Sequence, residues 1–198
     1  AVSGVTAATA QSGTTPAVEV ENYRPVTTAF FAGRSWYAGV QSPTMASWVM
    51  FSRITDTDIK YEQCYQEGDP TAEYTSDLIS SDGGVIPIMG AGGILLLKPL
   101  QGSLLVFAQN GIWQILGDAS GFKADGYQVK QIASFGILSP KSVVEVETTM
   151  MFWSTAGIYT LEKDSVSGDY IPKSISLGKI QTLYNDYQKT SHMQYVQG

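Results

Sequence analysis

A short pattern occurs twice in this chain, and that recurrence narrows the choice of fold more than any other property. Leu104 to Asp118, LLVFAQNGIWQILGD, consists of two apolar runs on either side of Asn110-Gly111. Asn-Gly between strand-like runs signals a tight β-hairpin, because both residues tolerate positive φ. About 45 residues further on, Met150 to Asp164, MMFWSTAGIYTLEKD, lays over the first copy. Gly157 falls under Gly111, Trp153 under Phe107, Tyr159 under Trp113 and Leu161 under Ile115. Self-similarity at such a period points to one structural unit repeated along the chain.

The flanking segments extend each copy towards four strands. Val143 to Glu147, Met150 to Ser154, Gly157 to Lys163 and Tyr170 to Ser176 read as strands with short connections, the layout of an antiparallel meander. Around the other copy, a turn at Ser81 to Gly84 precedes apolar runs at Val85 to Met89 and Ile94 to Lys98, and Tyr127 to Ala133 follows. Tyr127, Lys130 and Ile132 recur as Tyr170, Lys173 and Ile175 at the same relative positions. Pro87 lacks an N–H and belongs at an unpaired side or a bulge. A less regular first copy runs through Thr27 to Phe31, Ser35 to Val40 and Trp48 to Ile54, with a hairpin-like break at Ala32-Gly33-Arg34. Alternation puts Trp113 and Ile115, or Tyr159 and Leu161, on one side and Gln114 or Thr160 on the other, as a sheet packed between two others requires.

The fold expected from this is all-β: an incomplete β-propeller of four-stranded antiparallel blades, with a short helix near the C-terminus. Blade-like units span 18–54, 85–133 and 142–176 within a propeller fragment of 18–190. The repeat length matches the roughly 40 to 50 residues usual for a blade. A β-sandwich also uses many short strands but does not call for self-similarity, so the propeller is the better fit. Three units do not close a ring that takes at least about four blades, so the remaining blades lie outside the chain or the architecture is open. Leu177, Ile180, Leu183, Tyr184 and Tyr187 fall at helical spacing, which makes Leu177 to Lys189 a short amphipathic connector.

The rest departs from the pattern. Residues 1–17 are small and polar and read as a flexible arm or linker. Residues 55–81 form an acidic insertion carrying Asp56, Asp58, Glu62, Glu67, Asp69, Glu73 and Asp77 against Lys60, with a possible helical turn at Asp69-Pro70. Residues 191–198 read as the start of a further element or a frayed end. The first residues have neither the basic region nor the apolar core of a signal peptide, and the chain reads as a piece of something longer.

Composition excludes several classes of function. A net charge of −6 argues against tight nucleic-acid binding, which needs clustered Lys and Arg. No apolar run approaches the roughly 18 residues that cross a bilayer, so the chain reads as soluble with no membrane segment. The single cysteine, Cys64, allows no internal disulfide and fits a reducing compartment. His192 is the only histidine and lies near the end, away from any nucleophile. Carboxylates around Cys64 would raise its pKa and dull it. Asp164 to Asp169 and Asp56-Thr57-Asp58 lack the ligand spacing of a calcium loop and read as plain turns. Trp36, Trp48, Trp113 and Trp153 sit in strand patterns and read as core. The expectation is therefore no catalytic, cofactor-binding or metal-binding residue, and no enzyme.

Six segments carry a resemblance: GRSWYAG (Gly33 to Gly39), FSR (Phe51 to Arg53), SDGG (Ser81 to Gly84), LLVFAQNGIWQI (Leu104 to Ile115), FGILSPKSVV (Phe135 to Val144) and MFWSTAGIYTL (Met151 to Leu161). In this order they resemble the propeller region of phage tail nozzle proteins, also called tail tubular proteins B, of short-tailed phages. The resemblance covers most of Thr27 to Tyr184. It implies a virion structural protein assembled in the host cytoplasm, forming a homo-oligomeric ring in the tail through which the genome is ejected. Implied partners are a tail adaptor, tail fibres or other tail proteins, and DNA in transit without specific binding. An acidic wall suits such a conduit, since it lets a polyanion slide past. The competing class is a receptor- or carbohydrate-binding module of a phage tail, with the acidic insertion as its contact surface. A propeller glycosidase would need a convergent carboxylate pair, for which no residues stand out.

Overall fold

The computed structural model describes residues 24–54, 61–66, 78–165 and 169–188. The arm, most of the acidic insertion with Asp56-Thr57-Asp58 and Asp69-Pro70, and the segment with His192 lie outside them. The described residues form three four-stranded antiparallel sheets and one short helix. The first sheet is β1 (Thr27–Phe31), β2 (Arg34–Ala38), β3 (Trp48–Phe51) and β4 (Gly84–Pro87). The second is β5 (Ile94–Leu100), β6 (Ser103–Ala108), β7 (Ile112–Leu116) and β8 (Gln128–Ala133). The third is β9 (Val143–Val146), β10 (Thr149–Ser154), β11 (Gly157–Lys163) and β12 (Tyr170–Ser174). Each is a meander with its strands in chain order, so every pairing is between sequence neighbours and no long crossover is needed.

The register confirms the alignment of the second and third sheets. The run at Val85 to Met89, read as part of the 85–133 unit, instead supplies β4, which pairs with β3 across the insertion and completes the first sheet. Val106 faces Trp113 and Phe152 faces Tyr159 across the two central hairpins. On the next strand out, Gln114 faces Lys130 and Thr160 faces Lys173. Pro87, Pro99 and Pro172 all lie on edge strands, where a missing N–H costs no ladder bond.

The second sheet packs between the other two, and it does so by alternation. Leu104, Val106, Trp113 and Ile115 join Trp36, Ala38, Val49 and Phe51 of the first sheet in one core. Leu105, Phe107 and Ile112 point the other way and join Met150, Phe152, Leu161 and Tyr170 of the third sheet in another. All of β6 is consequently buried. Each such side chain is worth about 1.5–3 kcal/mol when removed from water, which is why this strand has no polar face. Thr27 fastens the first core at its edge, where its hydroxyl accepts a 3.0 Å bond from the Leu97 N–H and joins β1 to β5.

Turn chemistry departs from expectation at Asn110-Gly111. The hairpin is present, but neither residue has positive φ; the Ala108 N–H reaches the Gly111 carbonyl across the turn. Gly111 is there for space. A methyl group on it would stand 2.7 Å from the Ala133 carbonyl oxygen and 2.7 Å from the Trp113 ring. Left-handed residues occur instead in the first hairpin of each sheet: Ala32 (φ 51°), Gln101 (φ 43°) and Glu147 (φ 54°). Each opens a two-residue loop between paired residues, Phe31 with Arg34, Leu100 with Ser103 and Val146 with Thr149. This is the turn whose twist matches that of the strands.

The helix is shorter and less engaged than its periodicity implies. α1 spans Gln181–Gln188; Gly178, at φ 74°, breaks the helical path before it. Of the apolar stripe, Tyr184 is buried, while Leu177, Ile180 and Leu183 are exposed.

Candidate functional site

The most unusual side chain in the fold is Arg34, which opens β2 and is fully buried. Strand alternation puts it on the same face as Trp36 and Ala38, directed at the first core. Its guanidinium donates to the carbonyls of Ser52 (2.8 Å), Asp82 (2.6 Å), Ser81 (3.2 Å) and Ser80 (2.5 Å). The rings of Phe51 and Phe122 flank it at 5.4 and 5.6 Å. Burial lowers its pKa to about 10, against the opposing pull of Asp82 and Asp125. Arg53 meets the Asp82 carboxylate at 3.3 Å. The two arginines thus clamp residues 80–82, where the chain returns from the acidic insertion, onto the junction of the first two sheets. Sequence reading took Arg34 as part of a turn; its place two residues before a buried Trp was the available signal.

The residues with chemical potential are not brought together. Cys64 is buried against Val40 and Met50, and burial, with Glu62 adding a smaller effect, pushes its thiol up to about 12. A neutral thiol at physiological pH is a poor nucleophile. Asp164 and Asp169 are tied by a backbone bond, from the Asp164 N–H to the Asp169 carbonyl at 2.8 Å, and Asp169 also pairs with Lys130 of the second sheet. Among the described residues no group of three or more His, Cys, Asp or Glu is placed to hold a metal ion, and no helix is long and apolar enough to cross a membrane. Trp36 and Trp113 are buried as expected. Trp48 and Trp153 are only half-buried, because each lies on a face that no sheet covers completely.

Two largely apolar surfaces stand out among the described residues. One is a cleft of about 390 Å³ beside the insertion, lined by Trp48, Phe51, Cys64, Tyr65, Val85 and Tyr127. Tyr127 stacks on Phe122 at 5.4 Å and, like Tyr65, keeps over a third of its surface in solvent. Gln66 braces one wall, bonding the Ile79 N–H at 2.7 Å and the Gly83 carbonyl at 3.1 Å. The other surface is the far side of the third sheet. Met151 and Thr160, Trp153 and Ile158 face each other across the hairpin there, all half-buried. Tyr184 of α1 packs on Trp153 with ring centres 5.8 Å apart and donates its hydroxyl to the Ser154 carbonyl.

Compared with known proteins, the chain matches no family model and no curated protein.

Proposed function

We propose that this protein is a structural component of a phage virion, part of the tail nozzle ring through which the genome is ejected, and that its three sheets are consecutive blades of an incomplete β-propeller. The observation that carries the reading is the equivalence of Trp113 and Tyr159. Both lie on the third strand of a sheet, both face the preceding sheet, and each has a core residue opposite it, Val106 or Phe152. Successive sheets that repeat one packing step, with meander connections, are the construction of a propeller. The role is mechanical: a stiff stacked wall, with a net charge of −6, that repels passing DNA. A homo-oligomeric ring, an adaptor, tail fibres and a location in the virion belong to the same proposal. Imaging of purified particles with antibody against this chain is the test. Label at the tail tip is expected, and label on the capsid or none on intact particles would refute it.

One observation favours a second reading, a receptor- or carbohydrate-binding module. The cleft between Tyr65 and Tyr127 offers two partly exposed aromatic rings and a concave apolar floor, features that accept a sugar ring. A glycan array read with wild type and with Tyr127→Ala separates the two. Binding lost in the variant supports the module, and no binding by wild type removes it.

A further inference from the structure

The cleft beside the insertion combines a fixed aromatic platform with a charge pattern, and the two together select a class of ligand. Tyr127 lines the cleft and leans one face of its ring on Phe122, with 5.4 Å between centres and 27° between planes. Phe122 in turn meets Trp36 and Phe51 edge-on, at 4.7 and 5.0 Å. This file of rings ties Tyr127 to the first core. The 36% of its surface left in solvent is therefore held in place before a ligand arrives, and little freedom is lost on binding. Tyr65 and the half-buried Trp48 add further aromatic surface.

Polar recognition in the cleft is narrower. The Gln66 amide is occupied by the chain itself: its oxygen accepts from the Ile79 N–H and its nitrogen donates to the Gly83 and Ile79 carbonyls. Among the described residues, none that lines the cleft is charged. Two exposed carboxylates border it. Glu62 is close enough to act on the Cys64 thiol, and Asp125 adjoins Ala124. The lysine of the same loop, Lys123, is turned to Asp118 at 3.4 Å. An anionic ligand would meet like charge at the mouth and no charged lining group to offset it.

We infer that the cleft takes an uncharged hexopyranose, stacked by its C–H face on Tyr127, and turns away sugars that carry a carboxylate. The inference rests on the binding-module reading above and names its ligand class. A sugar ring gives its C–H face to the aromatic platform while its hydroxyls keep their water. The volume of about 390 Å³ lies at the low end of the roughly 300–1,000 Å³ of ligand clefts, which suits a terminal sugar rather than a long chain.

Saturation-transfer NMR of the full chain with methyl β-glucopyranoside and methyl β-glucuronide tests this. The two probes share the same ring and differ only at C6, where a carboxylate replaces the hydroxymethyl group. Transfer to the ring C–H protons of the neutral probe is expected. The glucuronide should bind roughly threefold or more weakly at low salt. That gap should close as salt is raised, and also in the variant carrying Glu62→Gln and Asp125→Asn. Tyr127→Ala should lose transfer with unchanged far-UV circular dichroism, and Tyr65→Ala serves in its place should that variant unfold. No transfer to either probe, from a chain that binds on the glycan array, overturns this ligand class alone; silence in both removes the module as well. A glucuronide bound as tightly as the glucoside, or a gap that survives removal of both carboxylates, overturns the charge selection. Transfer unchanged in Tyr127→Ala overturns the site.

Discussion

Arg34 keeps a positive charge out of water by surrounding it with carbonyl oxygens from Ser52, Ser80, Ser81 and Asp82. Truncation to Met leaves those acceptors without their donor in a buried site, and unmet buried polar groups cost about 1–3 kcal/mol each. Arg34→Met is therefore expected to lower stability by about 3 kcal/mol or more in urea unfolding. Arg34→Lys should recover only part of this, since an ammonium lacks the planar fork that reaches several carbonyls at once. Cys64 gives a prediction of opposite character. Its thiol titrates at about 12 when folded, against an ordinary value of 9.0. Between those values the unfolded chain has lost a proton that the folded chain keeps, so rising pH favours unfolding. Stability should fall from pH 9 upward, and Cys64→Ala should flatten the first part of that fall. Arg34, lowered to about 10, acts in the other direction above that value, because there the unfolded chain holds the extra proton. Tyr37, Tyr127, Tyr170 and Tyr184, all raised from 10.0 by burial, pull the same way as the thiol as pH nears 10. The thiol is therefore read as the difference between wild type and Cys64→Ala in urea midpoints from about pH 8 to 9.5; an identical slope in the two would show the assignment to be mistaken.

The hairpins show how an element can be right for a different reason than the one that predicted it. Asn110-Gly111 marks a real hairpin, yet its glycine is selected by the closeness of Ala133 and Trp113. The left-handed turns went to Ala32-Gly33, Gln101-Gly102 and Glu147-Thr148, whose sequences have little in common. Only Gly33 and Gly102 gave a hint, and Glu147 gave none. Ala32 is exposed and left-handed, a conformation that costs an ordinary L-residue about 1–2 kcal/mol and costs Asn less. Ala32→Asn should accordingly raise stability by about 0.5–1 kcal/mol, read as a higher melting temperature. An unchanged or lower value would mean the β1–β2 turn is not strained. In α1 the helical period was legible, but the apolar stripe did not dictate burial: Tyr184 reaches the third sheet, while Leu177, Ile180 and Leu183 stay exposed.

At the scale of the molecule, the second sheet holds both cores together, because adjacent residues of β6 belong to different ones. Phe107 packs its ring 5.8 Å from Phe152 of the third sheet. Phe107→Ala is expected to cost about 3–5 kcal/mol, the usual price of an aromatic cavity. Tryptophan fluorescence, which reports mainly the first core through Trp36 and Trp113, should shift together with far-UV circular dichroism. Two separated transitions would show instead that the sheets unfold independently.

From its residues alone, the chain determined the meander order of the second and third sheets and the equivalence of Trp113 with Tyr159, because these depend on alternation and short turns between sequence neighbours. β4, joined to β3 only across the insertion, was legible as a strand but not as part of the first sheet. Tertiary structure alone decided which face of each sheet meets which neighbour, why Arg34 is buried, and where apolar surface stays uncovered at Trp153 and Phe30. Those outcomes depend on groups distant in the chain, such as the carbonyls 46 to 48 residues from Arg34, and local pattern carries no record of what will stand opposite a side chain across a sheet-to-sheet gap.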